Sequence, residues 1–167
     1  MKRAWAIWVL AAQSFSSMLD GTFGYDRIKA STSQKITNKR NDFTEEFVHR
    51  IQNVQIECTD ALRIIRSRDY KDALHYVDPR YYNSDCGHYD GYTIEDFEML
   101  LKQLSEVKGK FLLLSYPSEL LKTYSKKYNW CTKTLEQSVS VANGTGKPGK
   151  KKIEVFTANY DLFNPDN

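Results

Sequence analysis

The chain predicts an α/β fold: a mostly parallel sheet with helices on both faces and an antiparallel strand pair at its C-terminal end. Three observations lead there. Short apolar runs alternate with stretches of helical periodicity from Thr44 onward, the pattern of a sheet crossed repeatedly by helices. The run "FLLLSY" is apolar throughout, the mark of a strand covered on both faces. Finally, "CTKTLEQSVSVA" and "IEVFTANY" are joined by the turn-rich "NGTGKPGKKK", which suits a returning pair of strands.

Taken in order, "MKRAWAIWVLAAQS" has a basic start and an apolar run from Ala4 to Ala12. The run is far shorter than the roughly 20 residues of a membrane span. It mimics a secretory signal, but no clean small-x-small cleavage site follows. It reads as a buried helix. The next stretch, "GTFGYDRIKASTSQKITNKRN", is rich in Ser, Thr, Lys and Gly and reads as irregular surface structure. Its cations, among them Arg27, Lys29 and Lys35, suit phosphate contacts or simply a solvated loop.

Thr44 reads as an N-cap ahead of Phe47, Val48 and Ile51 on one helical face. Val54 to Cys58 alternates like a strand, and Asp60 can open a short helix carrying Leu62, Ile64 and Ile65. Leu74 to Val77 is a brief strand stopped by Asp78-Pro79, because proline cannot donate to a sheet ladder. "YTIEDFEMLLKQLSEVKGK" is the clearest helix. Thr93 and Asp96 match a capping box, Phe97, Leu100, Leu101, Leu104 and Val107 form an apolar face, and Gly109 reads as its stop. Pro117-Ser118 opens a last helix with Leu120, Leu121 and Tyr124. In open sheets of this class ligands bind beyond the C-terminal ends of the strands. Asp78-Pro79 and Ser115-Tyr116-Pro117 fall there.

The bulk numbers bound the function. At 167 residues the chain can bury a real core. A hydrophobic share of 41% and a charged share of 27% are ordinary for a soluble globular protein. The net charge of +3 permits a nucleic-acid partner without requiring one. Three widely spaced cysteines, Cys58, Cys86 and Cys131, argue for a reducing compartment and against a disulfide framework. A cytoplasmic location follows. Cys86-Gly87-His88 lacks the second ligand cluster that a zinc site needs, so no metal is expected.

The stretch "HYVDPRYYNSDCGHYDGY" carries the chemistry. Strand-Asp-Pro-x-Tyr resembles the catalytic motif of amino-methylating DNA methyltransferases, Asp-Pro-Pro-Tyr at the end of a central strand. "VQIECTDALRII", "YVDPRYYNSDCGHYDGYTIEDFEMLLKQLSEVKGKFLLLSYPSE" and "KKKIEVFTANY" together resemble the catalytic half of the Dam-like, adenine-specific group. "AWAIWVLAAQSFS" with "GTFGYD" resembles its target-recognition segment. The resemblance implies a partial Rossmann-like methyltransferase sheet. It also implies a partial DNA-binding segment over residues 1–42 and a catalytic region over 43–167.

It further implies double-stranded DNA as partner and S-adenosylmethionine as methyl donor to the 6-amino group of adenine. The target base must leave the duplex stack. Its amine is a poor nucleophile because its lone pair is delocalised into the ring. Acceptors at the amine hydrogens favour a tetrahedral nitrogen. The resemblance assigns these roles to the Asp78 carboxylate and the Pro79 carbonyl. It assigns Tyr81 to stack on the flipped base, worth roughly 1–3 kcal/mol. Asp60 resembles the acid near the cofactor's adenine, with Asp78 bordering the same pocket; a plain helix N-cap is the competing reading of Asp60.

Two departures stand out. Arg80 replaces the second proline of the motif. A residue before proline is driven into extended conformations, so the replacement frees the ψ angle of Pro79 and the aim of its carbonyl. Arg80 also brings a cation that turns outward to a DNA phosphate or repels a sulfonium. Secondly, no G-x-G turn follows an early strand. The cofactor motif is therefore expected on a missing N-terminal portion, leaving this chain weak or inactive alone. Two other readings remain open: a non-catalytic DNA-binding remnant or interaction module, and a secreted α/β domain should the apolar start be a signal.

Overall fold

The computed structural model describes residues 2–14, 31–41, 44–82, 91–138 and 151–163. The chain divides into two compact units, Met1–Glu57 and Cys58–Asn167.

The first unit holds α1 (Lys2–Gln13), α2 (Ser31–Asn41) and α3 (Glu45–Ile51). The apolar start does form a helix, but not a buried one. Trp5 and Ile7 of α1 are exposed, and Trp5 stacks on Trp8 at 4.9 Å. The physical reason lies in its neighbour: α1 touches α2, whose sequence STSQKITNKRN offers almost no apolar surface to bury against. The stretch read as irregular nevertheless contains a helix, with Lys39 and Arg40 in its last turn, where they suit the negative pole of the helix dipole. Thr44 stands at the N-cap of α3 without a side-chain capping bond, and Phe47, Val48 and Ile51 are exposed. Val54 to Cys58 is not a strand. It belongs to no ladder and is exposed throughout. Alternation supplies two faces, whereas a strand also needs a neighbour to take its amides and carbonyls.

The second unit carries α4 (Ala61–Arg68), β1 (Leu74–Val77), α5 (Ile94–Leu104), β2 (Lys110–Ser115), α6 (Glu119–Tyr128), β3 (Cys131–Ser138) and β4 (Lys151–Ala158). Each helix starts on a side-chain cap. Asp60 accepts from the Arg63 amide at 2.9 Å, and Ser118 from the Leu121 amide at 3.1 Å. Thr93 and Asp96 form the reciprocal capping box at 3.2 and 2.9 Å. α6 ends on Asn129 in the left-handed region, with φ 54°, a conformation asparagine tolerates better than most residues.

The strands form one mixed sheet of order β1-β2-β4-β3. Only β1 and β2 pair in parallel; β2–β4 and β4–β3 are antiparallel. The expected mostly parallel sheet is thus corrected in its pairings. Three strands still point one way, since β3 reverses β4 and β4 reverses β2. The reversed strand is internal rather than at the edge, because β4 inserts between β2 and β3. β4 also starts at Lys151, so the lysine run read as loop is partly strand.

The core joins Ile65 of α4, the Phe97/Leu100/Leu101/Leu104 face of α5 and Leu121 of α6 to Phe111, Leu113 and Val155 of the sheet. Phe111 meets Trp130 edge-on at 5.0 Å, the favoured arrangement for aromatic quadrupoles. α5 stops at Leu104, ahead of Gly109, so Gly109 is not its terminator. Glycine is required there for another reason: a Cβ would lie 2.5 Å from the Ala73 carbonyl oxygen.

Polar staples fix the strands at the end away from the motif. Asp69 accepts from the Lys108 amide at 3.0 and 2.9 Å and from the Gly109 amide at 3.0 Å, and lies 3.3 Å from His75 Nε2. Burial by itself raises the Asp69 pKa. The hydrogen bonds from Lys108, Gly109 and His75 outweigh it and hold the carboxyl below the ordinary aspartate value. Asn159 extends the β2–β4 ladder: its Oδ1 accepts from Phe111 N and its Nδ2 donates to Gly109 O, both at 2.9 Å.

Candidate functional site

β1 and β2 are parallel and in register from Leu74↔Lys110 to Val77↔Leu113, so their C-terminal ends lie side by side. The first releases Asp78-Pro79-Arg80-Tyr81 and the second Ser115-Tyr116-Pro117. Here the two segments singled out on sequence come together. The Tyr81 hydroxyl donates to Asp78 Oδ1 at 3.2 Å, and the Tyr81 ring packs on Tyr116 at 4.3 Å between centroids. Burial, then the Asp78 carboxylate, pushes the Tyr81 phenol well above its ordinary pKa. It therefore stays protonated and able to donate.

β4 adds two residues that sequence reading missed. Lys152 lies 5.6 Å from the Tyr81 centroid and 5.3 Å from that of Tyr116, within cation–π range of both. It is tethered to Glu154 at 2.7 Å. The Glu154 contact raises the Lys152 pKa despite partial burial. The same-face spacing of Lys152 and Glu154 was the available signal, visible once Lys152 is placed on the strand.

Arg80, Tyr81, Tyr82, Phe97, Ser115 and Tyr116 line a shallow cleft too narrow to seat a water molecule. Asp78 and Arg80 are exposed and Pro79 is half-buried. Tyr82 packs on Phe97 at 5.4 Å, and Tyr92 joins the core. Burial, with Asp96 nearby, raises the Tyr92 phenol to about 12. Both tyrosines are packing residues here.

The other expected residues lie apart from this cluster. The Asp60 carboxylate is engaged as the N-cap of α4. Lys35 is exposed on α2 in the first unit. Arg27 and Lys29 lie outside the described residues, as do Tyr89, Cys86 and His88. Among the described residues no His, Cys, Asp and Glu side chains group as metal ligands would, and no helix is long and apolar enough to cross a membrane. Compared with known proteins, the chain matches no family model and no curated sequence.

Chemically, the cluster offers an exposed carboxylate as acceptor, the carbonyl of a neighbouring proline, and two aromatic rings steadied by a cation. That set suits a planar ligand bearing an amine.

Proposed function

We propose that this chain provides the amine-binding half of a site-specific DNA adenine-N6 methyltransferase that uses S-adenosylmethionine. The observation that carries the reading is the junction of Asp78, Pro79 and Tyr81 with Tyr116 at the C-terminal ends of two adjacent parallel strands. Open α/β sheets hold their ligands at such ends. In this reading Asp78 and the Pro79 carbonyl accept the two amine hydrogens of a flipped adenine, and Tyr81 offers its ring. Double-stranded DNA is the partner, with Arg80 at the rim turned to a phosphate.

The described residues do not make a complete seat for S-adenosylmethionine. Asp60 is occupied as a cap, the cleft beside Tyr81 is closed, and no glycine-rich turn adjoins β1. The reading therefore gives the cofactor to a further portion that adds along β1. β1 has a sheet partner on one side only among the described residues, and its Leu74 and Tyr76 are exposed.

Two measurements test this. In titration calorimetry with S-adenosylmethionine, the chain alone shows no tight binding; a micromolar site would contradict the shared-cofactor arrangement. Combined with the cofactor-binding portion that the reading requires, it transfers labelled methyl groups to the 6-amino group of adenine in duplex DNA. Asp78→Ala lowers that rate by roughly 100-fold, the size expected for a preorganised polar contact at a reacting group. Transfer indifferent to Asp78 would sink the catalytic reading. DNA binding without transfer would favour the non-catalytic remnant, for which the exposed basic end of α2 speaks.

A further inference from the structure

Ser115 closes β2 and is 2% exposed, yet its hydroxyl has no hydrogen-bond partner among the described residues. Buried hydroxyls are costly to leave unpaired, and folded proteins leave few of them so. Ser115 is one of the residues that line the cleft at the strand ends, with Tyr81, Tyr82, Phe97 and Tyr116. Tyr81 lies against Tyr116, its hydroxyl holds Asp78, and Lys152 steadies both rings from β4. Tyr81 thus engages one oxygen of the acceptor that a ligand's amine requires, and its ring lines the same cleft as Ser115.

We infer that Ser115 is a specificity-determining residue of this site and Tyr81 its resident plug. The ligand is a planar heteroaromatic carrying an amine beside an unprotonated ring nitrogen. On entry the Tyr81 ring swings off Tyr116. The ligand's N–H···Oδ1 bond to Asp78 replaces the tyrosine's O–H···Oδ1 bond, and the Ser115 hydroxyl donates to the ring nitrogen. The choice of edge follows from the groups. An ionised carboxylate only accepts, so it takes the amine; a serine hydroxyl can donate, so it takes the nitrogen beside it. Adenine and cytosine present such an edge on their Watson–Crick face, where guanine and thymine carry a protonated ring nitrogen instead. This inference rests on the amine-binding reading above and adds the second contact.

The test is a set of chemical-shift titrations of the full chain with adenosine and with 1-deazaadenosine, which keeps the amine but lacks the adjacent ring nitrogen. The wild-type chain should prefer adenosine by roughly tenfold, the worth of one buried hydrogen bond. Ser115→Ala should erase the preference without lowering the melting temperature, because it removes an unpaired hydroxyl. Tyr81→Phe, which keeps the ring but frees Asp78, should bind adenosine several-fold more tightly. If the preference survives Ser115→Ala, the assignment of Ser115 is overturned while the amine site stands. If neither the wild type nor Tyr81→Phe binds either nucleoside, the amine site itself falls, and this inference with it.

Discussion

Asp69 ties together the ends of β1 and β2. One carboxylate gathers two backbone amides from the turn before β2 and the imidazole of β1. Its side chain is only 11% exposed, so water cannot easily replace those bonds. Asp69→Ala should destabilise the fold by about 2–3 kcal/mol at pH 7, the cost of leaving such donors unpaired, as read by urea denaturation. The pH dependence has a definite sign. The folded-state carboxyl is more acidic than a free aspartate, near ~3.9. Its stabilising contribution is therefore full above about pH 4 and is lost as pH falls through the folded-state value. The gap between wild type and Asp69→Ala should narrow below pH ~4; a gap constant down to pH ~3 would show that the charge plays no part. Residue identity at the candidate site was readable from sequence: Asp78, Pro79 and Tyr81 form one segment. Lys152 and Glu154 were not, because a lysine run gives no sign of where a strand begins. Nor was the Asp69 staple, whose amide donors lie 39 and 40 residues away along the chain.

Among elements, α5 was the most legible, since cap, capping box and apolar face agree in one short stretch. Such local agreement is what makes a sequence specify its structure. Val54 to Cys58 shows the opposite case. Its alternation is strand-like, but a ladder requires a partner, and the segment stands exposed. β1 has the complementary property. It is a four-residue strand with no proline or lysine within it, pairs only with β2 among the described residues, and exposes Leu74 and Tyr76 at 63% each. Edge strands without such guards tend to recruit other chains. Tyr76→Lys should therefore reduce self-association in sedimentation velocity while leaving the melting temperature within about 3 °C, since surface changes are usually worth under ~0.5 kcal/mol. Unchanged association would place the sticky surface elsewhere.

At the level of the whole molecule, every buried residue among those described belongs to the second unit, from Ile65 to Ala158. The first unit has three helices and no buried side chain among its described residues. Stability should therefore reside in Cys58–Asn167. Expressed alone, that fragment should melt cooperatively within about 5 °C of the full chain, given that roughly 1 kcal/mol corresponds to 4–8 °C in a domain near this size. A fall of more than about 10 °C would mean that the first unit contributes to the core.

The sequence by itself determined the local features: helix caps, apolar faces, the two strand ends that carry polar residues, and the Asp-Pro-Arg-Tyr segment. These are encoded within a few residues of one another, where spacing and side-chain type suffice. Only the tertiary structure decided strand direction and order, the insertion of β4 beside β2, the loss of Val54–Cys58 as a strand, and the closure of Tyr81 over Asp78 and Tyr116. The first three depend on which distant backbone supplies a hydrogen-bond partner, and the last on the strand pairing that brings Tyr116 beside Tyr81; periodicity along the chain carries no record of either.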